Sequence, residues 1–282
     1  MLRVVSTRDT APTYREHMGE IFGRDEAAAW IAVPGDDDDK YTRGVVGFAT
    51  GSARYPGAAV LGVEAALRTG VGMVRYLGPG RATRLVLQSR PETVTTDGRV
   101  QAWVLGSGQD PAERDELTRL QIETALGQGV PVVLDAGALD VWQRATGPRV
   151  LTPHAGELAR LLGVAREEVL ADREAAARRA AETTGGTVLL KGAETLIASP
   201  GGELRRVRNA TPWLATAGAG DALAGILGAL LATHADATDL APPAAAAAWI
   251  HGEAAQRASG GGPFTVLDLC AALPGVVRDL VA

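Results

Sequence analysis

The chain has 282 residues, 46% of them hydrophobic, and a formal net charge of -5. The mildly acidic balance excludes a basic nucleic-acid surface, and no apolar run is long enough to span a bilayer. The charged first residues do not read as a signal peptide. A single cysteine, Cys270, excludes an internal disulfide and fits a reducing cytoplasm.

Short apolar runs predict buried strands over Gly44–Ala49, Gly72–Leu77, Trp103–Leu105, Val130–Leu134, Val150–Leu151, Thr187–Leu190 and Thr195–Ala198. Helical spacing predicts a helix over Pro56–Arg68, with Ala59, Val60, Val63, Ala66 and Leu67 on one face. A second is expected over Pro111–Leu126, with Leu117, Leu120 and Leu126 inward, then a short one over Glu157–Leu162 and an Ala/Arg/Glu helix over Glu167–Thr183. Ala222–Leu231 and Ala244–Arg257 follow. This alternation predicts an α/β fold: a mostly parallel sheet with helices on both faces and ligands at the carboxyl ends of its strands. No Pro/Gly/Ser-rich linker divides the chain. A single domain is therefore expected over residues 40–282, behind an N-terminal extension, residues 1–39.

The most informative stretch runs from Asn209 to Gly225 and contains Gly218-Ala-Gly220-Asp221 ahead of an apolar helical run. Glycines there let the backbone turn tightly and approach a ligand. The first N–H groups of the helix, with the positive end of its dipole behind them, then face an anion. Asp221 stands where a carboxylate can take a proton from a hydroxyl beside that anion, which points to phosphoryl transfer to an alcohol. The same residues also fit a plain loop with an Asp cap.

Four further segments end apolar runs. Gly51 to Ala59 and Gly106-Ser-Gly108 are glycine turns, each equally compatible with a simple connecting loop. Thr152-Pro-His154-Ala-Gly-Glu157 reads as a helix start, in which a capping Thr152 and Glu157 are accounted for and His154 is not. Leu189-Leu-Lys191-Gly-Ala-Glu-Thr195 puts a cation at the end of a buried run, where it needs a partner such as a phosphate. Of 28 basic residues only two, Lys40 and Lys191, are lysines. There is no Gly-x-x-x-x-Gly-Lys-Ser/Thr motif, no Cys/His zinc spacing and no Gly-x-Ser-x-Gly elbow.

The order of these motifs resembles the ribokinase-like superfamily and, within it, the ADP-dependent (S)-NAD(P)H-hydrate dehydratase family. The resemblance runs from about Lys40 to the C-terminus. It implies that Ala59, Gly108, His154 and Asp221 meet the hydrated dinucleotide. It implies too that Lys191, Gly192, Ala193, Glu194, Thr195 and Gly220 hold the nucleotide, and that Asp221 is the catalytic base. It further implies ADP as co-substrate, Mg2+ on the nucleotide oxygens, a cytoplasmic homotetramer, and neither nucleic-acid nor membrane partners. The chain departs from the family pattern at Gly106-Ser-Gly108-Gln-Asp, often Gly-Pro-Gly-Leu-Gly, and at Asp135-Ala-Gly137, often Asp-Ala-Asp. Members often carry an N-terminal epimerase domain; the segment before Lys40 is too short for one, so dehydratase activity alone is expected. The alanine-rich helix around Ala244–Ala255, with Trp249 and Ile250, is compatible either with a subunit contact or with the interior. Two other readings stay open: a small-molecule kinase of hydroxymethylpyrimidine or hydroxyethylthiazole type using the same Asp221, and a nucleotide-binding protein without catalysis.

Overall fold

The computed structural model describes residues 20–282. The chain opens with a short strand β1 (Glu20–Ile21) and helix α1 (Arg24–Ala28), followed by β2 (Val45–Ala49), α2 (Gly57–Thr69), β3 (Met73–Tyr76) and α3 (Gly80–Ser89). Then come β4 (Ala102–Leu105), α4 (Glu116–Leu126), β5 (Val132–Leu134), β6 (Arg149–Leu151), α5 (Ala155–Leu162), α6 (Arg166–Ala171) and α7 (Arg173–Thr184). The remainder is β7 (Thr187–Leu190), β8 (Thr195–Ala198), β9 (Leu204–Val207), α8 (Ala219–Thr233), α9 (Ala241–Ser259) and α10 (Val266–Val281).

The strands form one sheet in the order β1-β9-β8-β7-β6-β5-β4-β2-β3. Its pairs are parallel except β7–β8 and β8–β9, which are antiparallel. Helices cover both faces, as the alternating pattern requires. One core gathers α2, α8, α9 and α10 against the sheet, and the other lies under α4, α5, α6 and α7. The central strands are buried along their whole length, which explains their continuous apolar runs.

Several expectations change. The expected domain boundary at residue 39/40 moves towards the N-terminus within the described chain. Glu20–Ile21 pairs in parallel with Arg205–Arg206, and Phe22 and Ala27 are buried in the core. Residues 1–19 lie outside the described residues. The helix expected from Pro111 is a single 3-10 turn over Pro111–Glu113, and α4 begins only where Asp115 caps it. Its inward face is Thr118, Ile122, Ala125 and Leu126, whereas Leu117 and Leu120 are 58% and 60% exposed. The expected helix over 167–183 breaks at Asp172, whose side chain accepts from the Ala175 N–H and starts α7 afresh. The alanine-rich α9 lies inside the domain: Ala244–Ala248, Ile250, Ala254 and Ala255 are buried against the main core. It therefore offers no spare apolar face for a second subunit.

Helices α2 and α8 cross at Gly62 and Gly225. A Cβ on Gly225 would overlap the Gly62 carbonyl and come within 3.0 Å of its Cα. Only two glycines allow this approach, and it fixes where the first turn of α8 sits. Gly225→Ala is therefore expected to lower stability by about 1–3 kcal/mol, as overpacking in a closed core does. Urea denaturation checks it; a loss below about 0.5 kcal/mol, the usual surface value, would contradict the close crossing.

Candidate functional site

The chemistry-bearing motifs stand side by side because the strands that end in them do. Gly51 follows β2, Gly106–Gly108 follows β4, Asp135 follows β5, Thr152 follows β6 and Lys191 follows β7, all at the carboxyl edge of neighbouring strands. Gly106 and Gly108 have φ of 94° and 66°, and a Cβ on Gly106 would run into the Asp135 carbonyl. Lys191 and His154 are tied through the main chain, the Lys191 N–H donating to the Pro153 carbonyl at 2.9 Å.

Above this edge sits the first turn of α8. Gly218, at φ 93°, supplies the left-handed residue that admits the helix. The N–H groups of Gly220 and Asp221 have no protein acceptor among the described residues, and a Cβ on Gly220 would lie 3.4 Å from Lys191 Nζ. Two free amides, a helix dipole and an ammonium thus converge on one point, an anion site in the physical sense.

Lys191 is one-fifth exposed and is held by carboxylates: Asp135 Oδ1 at 2.8 Å and Glu157 Oε2 at 3.8 Å. Burial alone would lower its proton affinity, but Asp135, then Glu157 and Asp221, more than offset this and hold it above the ordinary lysine value. Asp221 behaves oppositely. Burial, and next the negative charge of Asp135, push its carboxyl up to about 7 against the pull of Lys191. A carboxyl titrating there can accept a proton near neutral pH, as a general base must.

The other expected residues fall into distinct places. Ala59 is fully buried in α2 beneath the Gly51 turn, so its side chain shows no surface to a ligand. Gly108 packs against Ala58 and the Tyr55 carbonyl. His154 is exposed and caps α5: its Nδ1 accepts from the Gly156 and Glu157 N–H groups at 3.0 and 3.1 Å. The cap is therefore His154 and not Thr152, whose hydroxyl instead donates to Asp135 at 2.8 Å. Gly192 and Ala193 are exposed in the turn after β7, and Glu194 pairs with Arg206 at 3.2 Å. Beside this edge opens a cleft of about 390 Å³ reached by Tyr55, Gln109, Gly137, Glu157 and Arg160.

Four residues carry parts in the site that the sequence does not assign to them. Asp135 carries no role in the sequence reading, where the departure from pattern falls on Gly137, yet it collects Ser107, Thr152 and Lys191. Arg173 threads the turn after β7, donating to the carbonyls of Leu190, Lys191 and Glu194 at 3.4, 3.4 and 2.9 Å. His251, buried on α9 against the Ala219 carbonyl, is pushed by burial down to about 4 and so is neutral at physiological pH. Glu157 was read only as a helix-start residue. The sequence signal for Asp135 was available: like Lys191, it ends a buried apolar strand.

Desolvation of Asp221 has a thermodynamic consequence. From about pH 4 to pH 7 the unfolded carboxyl ionises and the native one stays protonated, so the native state binds more protons and stability falls as pH rises. Asp221→Asn removes that loss. The variant is expected to melt about 2–6 °C above the wild type at pH 8 and level with it near pH 4. A calorimetric scan at both pH values checks this, and an equal melting difference at both would contradict a desolvated Asp221.

Residues 46–268 match the family described as NAD(P)H-hydrate dehydratase. Over 221 residues the chain is 46% identical to the bifunctional NAD(P)H-hydrate repair enzyme Nnr of Mycobacterium tuberculosis, a match covering 74% of this chain and 45% of that longer protein. Over 238 residues it is 38% identical to the ADP-dependent (S)-NAD(P)H-hydrate dehydratase of Neisseria meningitidis, covering 78% and 79% of the two. A crystal structure of the ADP/ATP-dependent NAD(P)H-hydrate dehydratase of Bacillus subtilis, co-crystallised with ATP and Mg2+, superposes with a TM-score of 0.84 at 26% identity, over 93% of this chain and 99% of that one. The fold is ribokinase-like, and the chain belongs to the NAD(P)H-hydrate dehydratase family.

Proposed function

We propose that this chain dehydrates the S epimer of hydrated NADH and NADPH, with ADP as phosphoryl donor, and releases NAD(P)H, AMP and phosphate. The observation that carries the reading is the meeting of a high-affinity carboxyl, Asp221, with the free amides of α8 and the Lys191 ammonium. The difficulty of the reaction is the leaving group. Hydroxide leaves a ring carbon poorly, whereas phosphate leaves readily. Asp221 takes the proton of the ring hydroxyl as the terminal phosphoryl of ADP moves to its oxygen; the bond to AMP breaks and the new P–O bond forms. The Gly220 and Asp221 amides and Lys191 balance the charge on the transferring group. The ring nitrogen then expels phosphate, and loss of the neighbouring ring proton restores the dihydronicotinamide.

On this reading Lys191–Thr195 and Gly220 hold the nucleotide. Gly108, His154 and the Ala59 turn border the dinucleotide, for which the cleft past Gly137 and Arg160 offers room. Because Ala59 is buried, its part is to let the Gly51 backbone come close. A Mg2+ ion would arrive with the nucleotide and would supply charge shielding for its phosphates. Among the described residues no group of three His, Cys, Asp or Glu side chains can cage a metal, and Asp135 and Glu157 are engaged by Lys191. We assign no protein ligand to it. A cytoplasmic setting rests on the single cysteine, which fits a reducing compartment; among the described residues no helix is long and apolar enough to cross a membrane. The homotetramer rests on the family resemblance, and Leu117 and Leu120 on α4 are two of the exposed apolar side chains that a subunit contact could cover.

The test is chemically hydrated NADH with purified protein and ADP or ATP in turn. Absorbance of the dihydronicotinamide is expected to return with ADP, with one phosphate released per turnover. Accumulation of a stable phosphorylated alcohol would mean a kinase, and nucleotide binding without turnover would mean a binding protein. Lys191→Ala is further expected to weaken ADP by roughly 1.5–3 kcal/mol, the worth of a desolvated charged contact, and the hydrated dinucleotide by much less. Separate calorimetric titrations decide; equal losses would place Lys191 between the two ligands.

A further inference from the structure

Asp135 takes no part in the reaction just described, yet it is the most fully engaged side chain at the site. Its Oδ1 accepts from Thr152 Oγ1 and Lys191 Nζ, both at 2.8 Å, and its Oδ2 accepts from Ser107 Oγ at 2.9 Å. The three donors follow β4, β6 and β7, so three strands converge on the residue that ends β5. The main chain is tuned to aim it: Ala136, the next residue, has φ 44°, a left-handed conformation unusual for a residue with a side chain. Only 2% of Asp135 is exposed. It cannot touch a substrate.

We propose that Asp135 is the positioning residue of this site: it holds the Lys191 ammonium beside the first turn of α8 and off the Asp221 carboxylate, so that Asp221 is left free to take the substrate proton. This rests on the reading of Asp221 as the base. Lys191 pairs with Asp135 and Glu157 and makes no ion pair with Asp221 among the described residues. Without the Asp135 charge, the carboxylates left to the ammonium are Glu157 and Asp221. An ammonium drawn onto Asp221 would keep it ionised but strip it of basicity. It would also leave the point where the phosphoryl group must be met. Ser107, which departs from the usual family residue at its position, is here one of the two hydroxyls that fix Asp135.

Few other titratable groups bear on Asp221. On α9 the neutral His251 faces Ala219. On α2 Glu64 is paired with Arg68 and Arg90. On α10 Asp268 caps its own helix at Thr265, and Cys270 is a buried thiol. From β5 and from the turn after β7 come Asp135 and Lys191 themselves.

The experiment follows the Asp221 carboxyl directly. In ligand-free protein its 13C NMR titration, assigned with Asp221→Asn, is compared between wild type, Asp135→Asn and Lys191→Met. Asp135→Asn is expected to move the midpoint down by about one pH unit and Lys191→Met to move it up by a similar amount, the sizes that a neighbouring charge produces. The acid limb of the kcat/KM profile of Asp135→Asn moves with it, and its plateau rate falls about tenfold. An Asp221 midpoint unmoved in the folded variants, or a uniform rate loss with the limb in place, would overturn the proposal. If Asp135→Asn does not fold, an unmoved midpoint in Lys191→Met overturns it alone. Because the NMR titration needs no turnover, a moving midpoint in a protein that never restores NADH would refute the substrate reading and leave the positioning role supported.

Discussion

The Lys191 ammonium lies 2.8 Å from Asp135, 3.8 Å from Glu157 and 3.4 Å from where a Cβ on Gly220 would stand, and the chemistry of the site depends on where that one charge is held. A buried cation beside several carboxylates has more than one stable partner. Which partner it takes decides whether Asp221 is a base or half of an ion pair. The protein settles the matter with rigid parts. Of the holders of Lys191, Asp135 follows β5 and Glu157 stands in the first turn of α5, behind the adjacent parallel strand β6, and the hydroxyls of Ser107 and Thr152 fix both oxygens of Asp135.

The rest of the fold can be understood as the support for that geometry. The anion site requires the first turn of α8 to stand directly over the strand edge. That in turn requires α8 to pass close to α2, which the Gly62–Gly225 contact permits. Behind α8, the alanines of α9 and the apolar face of α10 close the core, so the helix cannot retreat from the ligand. On the other face, Arg173 ties the start of α7 to the turn that carries Lys191, donating to the carbonyl of Leu190 just before the Lys-Gly-Ala-Glu stretch and to two carbonyls within it.

Much of this was legible in the sequence, for a physical reason. A charged or glycine-rich segment that ends a buried apolar run has to lie at the end of a strand, and in a parallel sheet those ends share one edge. Lys191 could be read on that ground, and Gly218–Asp221 from the glycine turn that stands ahead of an apolar helical run. The partners of Asp135 could not, because they come from 28, 17 and 56 positions away and only the strand order brings them together. Ser107 looked like a simple departure from pattern; its function is visible only once Asp135 faces it. Strand β9 is not expected from the sequence since Leu-Arg-Arg-Val lacks an apolar run, its arginines reaching Glu203 and Glu174. The α4 face differs from the expected one because Thr118, Ile122 and Ala125, not Leu117 and Leu120, fit against the sheet. Helix α9 looked too apolar for one interface. It has several, meeting α1, α8 and α10 at once.

The central claim is that Asp221 acts as the proton acceptor within an anion site that does not need it for binding. Single-turnover kinetics of Asp221→Asn with hydrated NADH and saturating ADP, alongside the dissociation constant of ADP for the same protein, test it most directly. The account predicts a rate lower by about 10²–10⁴-fold, the usual loss when a general base is removed, with ADP affinity close to that of the wild type. Turnover at the wild-type rate would contradict it.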